Sequence, residues 1–155
     1  MNRRIATFTL ASFTLLSGTA LGIAQQSGTA AEAKAMFERA IAALKANATT
    51  ALAAFNDKSN KDYHDRDLYV FCYNMTDGSF TAHVNAAMMG KDVRTVKVGD
   101  DPLGQRIFDT IKNAPEAATG TIDYKFPKPG TTEPVPKESY VSRIGNEGCG
   151  VGYYK

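Results

Sequence analysis

The first long hydrophobic pattern of the chain has the period of a helix. Between residues 33 and 55, apolar residues recur at spacings of three and four, which places them on one stripe of a long amphipathic helix. Thr29 and Glu32 stand at the two positions of a capping box, so we expect this helix to begin beside Thr29. Asn47 weakens the middle of the pattern and is a candidate position for a kink. The polar run at residues 56–60 ends it.

The hydrophobic period then changes to two. Residues 68–73 are aromatic and β-branched, as is typical of a strand, and residues 80–84 form a second strand with the same alternation. Asp77 and Gly78 lie between them as a turn, so the two segments predict a β-hairpin. Residues 102–112 return to helical spacing, and Asp101 is the candidate cap of this second, shorter helix.

Three more strands are predicted in the C-terminal third of the chain, at residues 121–126, 139–144 and 149–154. The segment between the first two, residues 127–136, is rich in proline and glycine, which favours a loop without regular structure. The element order is therefore helix, two strands, helix and three strands. This order is typical of an α+β fold built around one antiparallel sheet.

The N-terminal region has the three parts of a secretory signal peptide. Arg3 and Arg4 provide the positive segment, residues 5–21 are uncharged and largely apolar, and Gly22-Ile23-Ala24 provides small residues at a cleavage site. Threonines and serines interrupt the apolar stretch, so it would span a membrane poorly. We therefore expect cleavage before Gln25 and not retention as a membrane anchor.

The predicted organisation is a signal peptide at residues 1–24 and one domain at residues 25–155, a length typical of a single domain. The formal net charge of +2 equals the charge of Arg3 and Arg4, so the mature part is near neutral. A neutral domain lacks the basic surface that nucleic acid or an anionic membrane would require. We expect a periplasmic or secreted protein that neither binds nucleic acid nor inserts into a membrane.

The chain has two cysteines, Cys72 and Cys149. In an exported domain such a pair usually forms one disulfide. A metal site is the less favoured alternative, because the sequence has no Cys-x-x-Cys and only two histidines. The sequence also lacks a nucleophile elbow and a phosphate-binding glycine loop. We therefore predict no cofactor, no metal and no enzymatic activity.

Several short motifs, taken in their order, resemble the single Cache domain, the extracytoplasmic relative of PAS domains. The resemblance covers the chain from about Ala30 to the C-terminus, and it implies a five-stranded antiparallel sheet with a long N-terminal helix and a short helix between strands two and three. It also implies that the first and last strands are central neighbours, which would bring Cys72 and Cys149 within reach of a disulfide. The matching segments are residues 67–71, 77–78, 82–85, 90–92, 123–127, Lys137, 139–141 and 150–154.

The resemblance implies a function as well. Cache domains bind small molecules, often short carboxylates or amino acids, as the sensor parts of receptors. Family members usually continue into a membrane helix and a signalling module, whereas this chain stops at Lys155. We therefore expect it to act through a separate partner, such as a membrane receptor or kinase. The alternative is a pocketless interaction module of a membrane sensor kinase or another envelope complex, and an exported hydrolase is a third reading that the missing motifs disfavour.

The resemblance and the aromatic faces of the predicted strands together give seven candidate ligand-binding residues. An ammonium and a phenol at the edge of the pocket suit a carboxylate, and aromatic strand faces suit its walls. Each candidate has a structural alternative: a solvated loop lysine, a histidine bonded to a loop carbonyl, or ordinary aromatic core. The polar candidates are His83, Lys137 and Tyr140, and the walls are Tyr69, Phe71, Tyr124 and Phe126.

Cleavage of the signal peptide is testable by mass. After expression in a Gram-negative host, the exported protein should begin at Gln25, and its intact mass should lack the first 24 residues. Replacing Ala24 with Tyr puts a large side chain where the cleavage site needs a small one, so the precursor should accumulate. A full-length mass for the unaltered protein in the periplasmic fraction would contradict the prediction.

Overall fold

The computed structural model describes residues 27–155. The predicted signal peptide and its cleavage site lie outside the described residues, so the boundary before Gln25 stays a prediction. Within residues 27–155, none of the helices is both long and apolar enough to cross a membrane.

The first helical segment begins at the predicted capping box. The Thr29 hydroxyl accepts a hydrogen bond from the Glu32 amide, and the Glu32 carboxylate accepts one from the Thr29 amide. The expected single long helix is two helices, α1 (Ala30–Ala46) and α2 (Ala48–Asn56). Asn47 separates them, because its backbone is extended and its side chain caps the first turn of α2. The kink predicted at this residue is therefore a complete break.

The sheet confirms the α+β prediction. Its strands are antiparallel and follow the order β1-β2-β6-β5-β4, with β3 also paired to β2. Between β3 and β4 lie two short 3₁₀ helices and α3 (Leu103–Asn113). The two-residue β1 is an addition to the five expected strands. The bounds are β1 His64–Asp65, β2 Leu68–Asn74, β3 Phe80–Ala82, β4 Gly120–Pro127, β5 Pro134–Ile144 and β6 Glu147–Tyr154; the 3₁₀ helices are Ala86–Met88 and Val93–Thr95.

Two local predictions are wrong. β5 begins at Pro134, inside the segment expected to be a loop, and pairs there with β4. β5 pairs with β6 only from Lys137 onward. Pro134 and Pro136, which have no amide hydrogen to donate, therefore precede the part of β5 that pairs with β6. The cap of α3 is Pro102 without a side-chain hydrogen bond. Asp101 instead forms an ion pair with Arg106 at 2.6 Å.

The expected central pair of strands, β2 and β6, is confirmed. Cys72 and Cys149 lie directly opposite each other in this ladder, and a disulfide joins them. Both half-cystines are buried among the side chains under α1 and α2. The disulfide therefore links the two central strands on the side of the sheet that faces these helices.

The sheet separates two hydrophobic cores because side chains alternate along β2. Leu68, Val70 and Cys72 pack with α1 and α2 on one face. Tyr69, Phe71 and Tyr73 pack with α3 and the second 3₁₀ helix on the other face. We call this second face the cavity face.

Removing the disulfide should destabilise the domain. The two half-cystines are 77 residues apart, and the chain-entropy model assigns a loop of this length about 4 kcal/mol. The Cys72→Ala/Cys149→Ala variant should therefore lose about 3 to 4 kcal/mol of unfolding free energy in urea denaturation.

A reduced sample of the unaltered protein provides the matched comparison, because it lacks the cross-link but keeps both cysteine side chains. It should be destabilised to a similar extent. A loss below about 1 kcal/mol in both samples would contradict the stabilising role of the cross-link.

Candidate functional site

A small apolar cavity lies on the cavity face, between the sheet and the segment that runs from the 3₁₀ helices into α3. Its volume is about 30 Å³, which is room for about one water molecule. Five of the seven predicted site residues line it: Tyr69, Phe71, His83, Tyr124 and Phe126. The structure thus brings most of the predicted site together around one cavity.

An open cleft of about 500 Å³ adjoins this cavity. The two share Tyr69, His83, Met88 and Phe126 as lining residues, and the loop after β4 forms another wall of the cleft. These four side chains therefore border both the cavity and the cleft.

Lys137 is not the solvated loop lysine that the sequence left open. It is buried against Tyr69 and Phe126, which line the cavity, but it is not itself a lining residue of the cavity. Its side chain is 1% exposed, and its Nζ donates hydrogen bonds to the hydroxyls of Tyr69 at 3.1 Å and Tyr154 at 3.4 Å. The Nζ also lies 4.4 and 4.5 Å from the ring centroids of Tyr69 and Tyr154 and 5.7 Å from that of Phe126. We call these three rings the aromatic cage.

The electrostatics of Lys137 follow from this burial. Desolvation lowers the pKa of Lys137 to about 7, and the negative charge of Asp67 opposes the shift. The salt bridges formed among residues 27–155 pair Lys137 with no carboxylate. The amine is therefore a buried base whose nearest polar partners are phenol hydroxyls.

His83 is a neutral donor at the same cavity. Burial and, to a smaller extent, the charge of Lys137 together lower the pKa of His83 to about 4. Its Nδ1 accepts a hydrogen bond from the Asn85 amide at 3.0 Å, so in the neutral ring the proton lies on Nε2. The structural alternative for His83 was a hydrogen bond to a loop carbonyl. The loop group that Nδ1 contacts is instead the backbone amide of Asn85. Nε2–H remains a hydrogen-bond donor.

A row of glycines on β6 makes room for these side chains. Gly148, Gly150 and Gly152 alternate along the cavity face. A Cβ atom at Gly150 would overlap the ring of Phe71, and one at Gly152 would overlap Cε of Lys137. On this face β6 therefore has no side chains at these positions, and side chains of the neighbouring strands pack over its backbone.

Two buried residues complete the site and were not predicted. Ser139 lies two residues after Lys137 on the same face of β5, and its Oγ is 2.6 Å from the hydroxyl of Tyr124. The hydroxyl of Tyr154 donates to the carbonyl of Pro127 at 2.7 Å. Strand alternation was the signal that could have identified Ser139.

Tyr140 is the one predicted site residue that the structure does not place with the others. Its ring lies on the opposite face of the sheet, with its centroid 6.1 Å from that of Phe37 in α1 and 6.2 Å from that of Tyr153. The physical reason is the period of two in a strand. Lys137 and Tyr140 are three positions apart on β5, which is an odd spacing, so their side chains point to opposite faces.

The site contains groups that can interact with an anion. It combines a buried amine, a neutral imidazole donor and several phenols inside apolar walls. Within residues 27–155, no group of three or more histidine, cysteine or acidic side chains is arranged to hold a metal ion.

Comparison with known proteins identifies relatives of the whole domain. The family model described as Single Cache domain 2 matches residues 14–154, so the match begins inside the predicted signal peptide. No curated protein matches the chain.

Three solved structures share the fold. A methyl-accepting chemotaxis protein from Vibrio parahaemolyticus RIMD 2210633 has a TM-score of 0.62 and 20% identity, over 80% of this chain and 86% of that chain. A periplasmic sensor domain of a chemotaxis protein has a TM-score of 0.58 and 24% identity, over 79% and 87%. The third structure is described as the structural basis for carboxylic acid recognition by a Cache chemosensory domain, and it has a TM-score of 0.56 and 22% identity, over 79% and 85%.

Lys137 should make the stability of the domain depend on pH. Its pKa is about 7 in the folded protein against an ordinary value of 10.5, so above about pH 7 the unfolded chain binds more protons than the folded one. The free energy of unfolding should therefore rise with pH between about 7 and 9, with a slope of up to about 1.4 kcal/mol per pH unit. Urea denaturation at several pH values in this window measures the slope.

Two substitutions isolate this contribution. Lys137→Met keeps most of the stem but removes the titrating group, so the slope should flatten. Lys125→Met makes the same change at an exposed position of β4 and should leave the slope as it is. Equal slopes in both variants would show that Lys137 keeps its ordinary pKa.

Proposed function

Because the chain belongs to the Single Cache domain 2 family, we propose that it is an extracytoplasmic sensor domain whose ligand is a short carboxylate. The observation that carries this proposal is the buried amine of Lys137. It forms no ion pair with a carboxylate of residues 27–155, and it contacts two rings that line the apolar cavity. The ligand-binding group that we propose is Tyr69, Phe71, His83, Tyr124, Phe126 and Lys137, with Ser139 and Tyr154 as supporting residues.

The energetics favour an anionic ligand. A buried ammonium without a counter-ion costs several kcal/mol, so the side chain gives up its proton near neutral pH. A carboxylate bound next to Nζ would supply the missing negative charge and would stabilise the protonated form. Binding above about pH 7 should therefore take up a proton, and the affinity should weaken as the pH rises.

The remaining groups limit the size and orientation of the ligand. The Nε2–H of His83 and the hydroxyls of Tyr69 and Tyr124 can donate to carboxylate oxygens. The cavity of about 30 Å³ must expand toward the open cleft before it holds even a small organic acid. A ligand of two to four carbons requires the least expansion, and the rings of Tyr69 and Phe126 are the side chains that must rotate.

A relative supports the same ligand class. The Cache chemosensory domain that shares this fold is described by its carboxylic acid recognition. At 22% identity this likeness shows the fold alone, and the ligand class proposed for this chain depends on Lys137 and its surroundings.

The second candidate function is a pocketless interaction module within an envelope complex. The small volume of the cavity is the observation that favours it, since the site as it stands has no room for a metabolite. The two candidates differ in one measurable property. A sensor domain is stabilised by its ligand, whereas a pocketless module is stabilised by no small molecule.

We also propose that residues 1–24 direct export and that residues 25–155 act as one non-enzymatic domain in the periplasm or outside the cell. The occupied domain would pass its state to a separate membrane receptor or kinase. The match of the family model across residues 14–154 supports a single domain over the mature part of the chain.

A ligand screen tests the proposal. Short carboxylates and amino acids are added to the purified domain, and unfolding is followed by thermal shift. A true ligand at about 100 times its Kd should stabilise the fold by about 2.7 kcal/mol. Lys137→Met should weaken its binding by about tenfold or more, which corresponds to about 1.4 kcal/mol.

Two variants serve as controls. Lys125→Met removes an exposed lysine from β4, and Tyr140→Phe removes a hydroxyl from the opposite face of the sheet; both should bind as the unaltered domain does. If no compound stabilises the domain, the pocketless module is the better reading. If the shift is undiminished in Lys137→Met, Lys137 is not the anion contact.

A further inference from the structure

The surroundings of Lys137 suit a reaction as well as an ion pair. Its amine is 1% exposed, is enclosed by the three rings of the aromatic cage and makes no ion pair with a carboxylate of residues 27–155. An amine desolvated in this way is present in large part without its proton, and its lone pair is then a nucleophile toward carbonyl carbon.

Two phenol hydroxyls lie next to the nucleophile. The hydroxyls of Tyr69 and Tyr154 lie 3.1 and 3.4 Å from Nζ. Burial raises the pKa of both phenols, so they keep their protons at neutral pH. The hydroxyl of Tyr154 donates its proton to the carbonyl of Pro127, so Tyr69 is the phenol that can protonate an oxygen leaving the carbon bonded to Nζ.

We propose that Lys137 forms a Schiff base with short 2-oxo acids and aldehyde acids that enter this cavity. This inference rests on the proposed function, because it uses the same site and narrows the ligand class to carboxylates with an adjacent carbonyl group. The carboxylate end of the ligand would accept a hydrogen bond from Nε2–H of His83.

Formation of the Schiff base needs only the amine, the carbonyl compound, a phenol that carries a proton, and water. The Nζ lone pair bonds to the carbonyl carbon, and a proton passes from nitrogen to oxygen to give a carbinolamine. A phenol then protonates this hydroxyl, water leaves as the C–O bond breaks, and the nitrogen lone pair forms the C=N bond. The phenolate regains its proton from water, so the net change is one amine and one carbonyl converted to one iminium, with the release of hydroxide.

Like a bound carboxylate, the iminium of a 2-oxo acid would leave no buried charge without a partner. The positive charge now lies on a nitrogen that is covalently held within the ligand, next to the ligand's own carboxylate. The charges neutralise each other within the cavity, so neither is left buried without a partner. The surrounding rings also restrict the water that would hydrolyse the C=N bond.

Reductive trapping tests the inference. The mature domain is incubated with pyruvate and cyanoborohydride, which reduces an iminium to a stable secondary amine, and the modified lysine is located by peptide mass mapping. Lys137 should be modified at least about tenfold faster than any surface lysine, as expected for a desolvated amine in a binding site. Lactate has the same carboxylate but no carbonyl, so it should bind without forming an adduct.

Variants and the lactate comparison separate the outcomes. Lys137→Met, checked to be folded by its unfolding transition, should lose the fast adduct, and Lys125→Met should retain it. If pyruvate and lactate both stabilise the domain but Lys137 is not trapped, the Schiff base is overturned and the carboxylate sensor stands. If neither acid stabilises the domain and no fast adduct forms, this inference is overturned, and the wider ligand screen then decides the fate of the sensor proposal.

Discussion

The antiparallel pairing of β2 with β6 is the constraint on which the other parts of the domain depend. It places the two cysteines opposite each other, so one covalent bond ties together strands from distant parts of the chain. The same pairing sets the phase of side-chain alternation for the whole sheet. Helices α1 and α2 cover one face, and the other face is left to aromatic residues and glycines. A shift of the register by one residue would exchange these two faces.

The glycines of β6 show how this pairing creates the site. With no side chain at Gly150 and Gly152, Phe71 and Lys137 can fold across the centre of the sheet. Glycine weakens a strand because it contributes no packing of its own and restricts the chain less in the unfolded state. Here the side chains of neighbouring strands fill the space instead. The stability of the central strand and the position of the amine are therefore parts of one arrangement.

The buried lysine carries a cost in stability that the proposed ligand would offset. Desolvation of an amine disfavours its charged form, and an apolar side chain of similar volume would fold with less cost. Hydroxyls of Tyr69 and Tyr154 offset a part of this cost as hydrogen-bond acceptors, and the ring faces attract the ammonium. What they do not provide is a full negative charge. An anion bound next to Lys137 would supply this missing negative charge.

Local features of the sequence determined much of the fold by themselves. The capping box, the helical stripe and the hairpin involve residues within a few positions of one another, so their physics is contained in short segments. Even the placement of Tyr140 away from Lys137 was implied by odd spacing on a strand. The burial of Lys137 was decided only in three dimensions, because Tyr69 lies 68 residues before it. The cavity was likewise decided by the packing of α3 and the 3₁₀ helices on the sheet, since no short segment contains both of its walls.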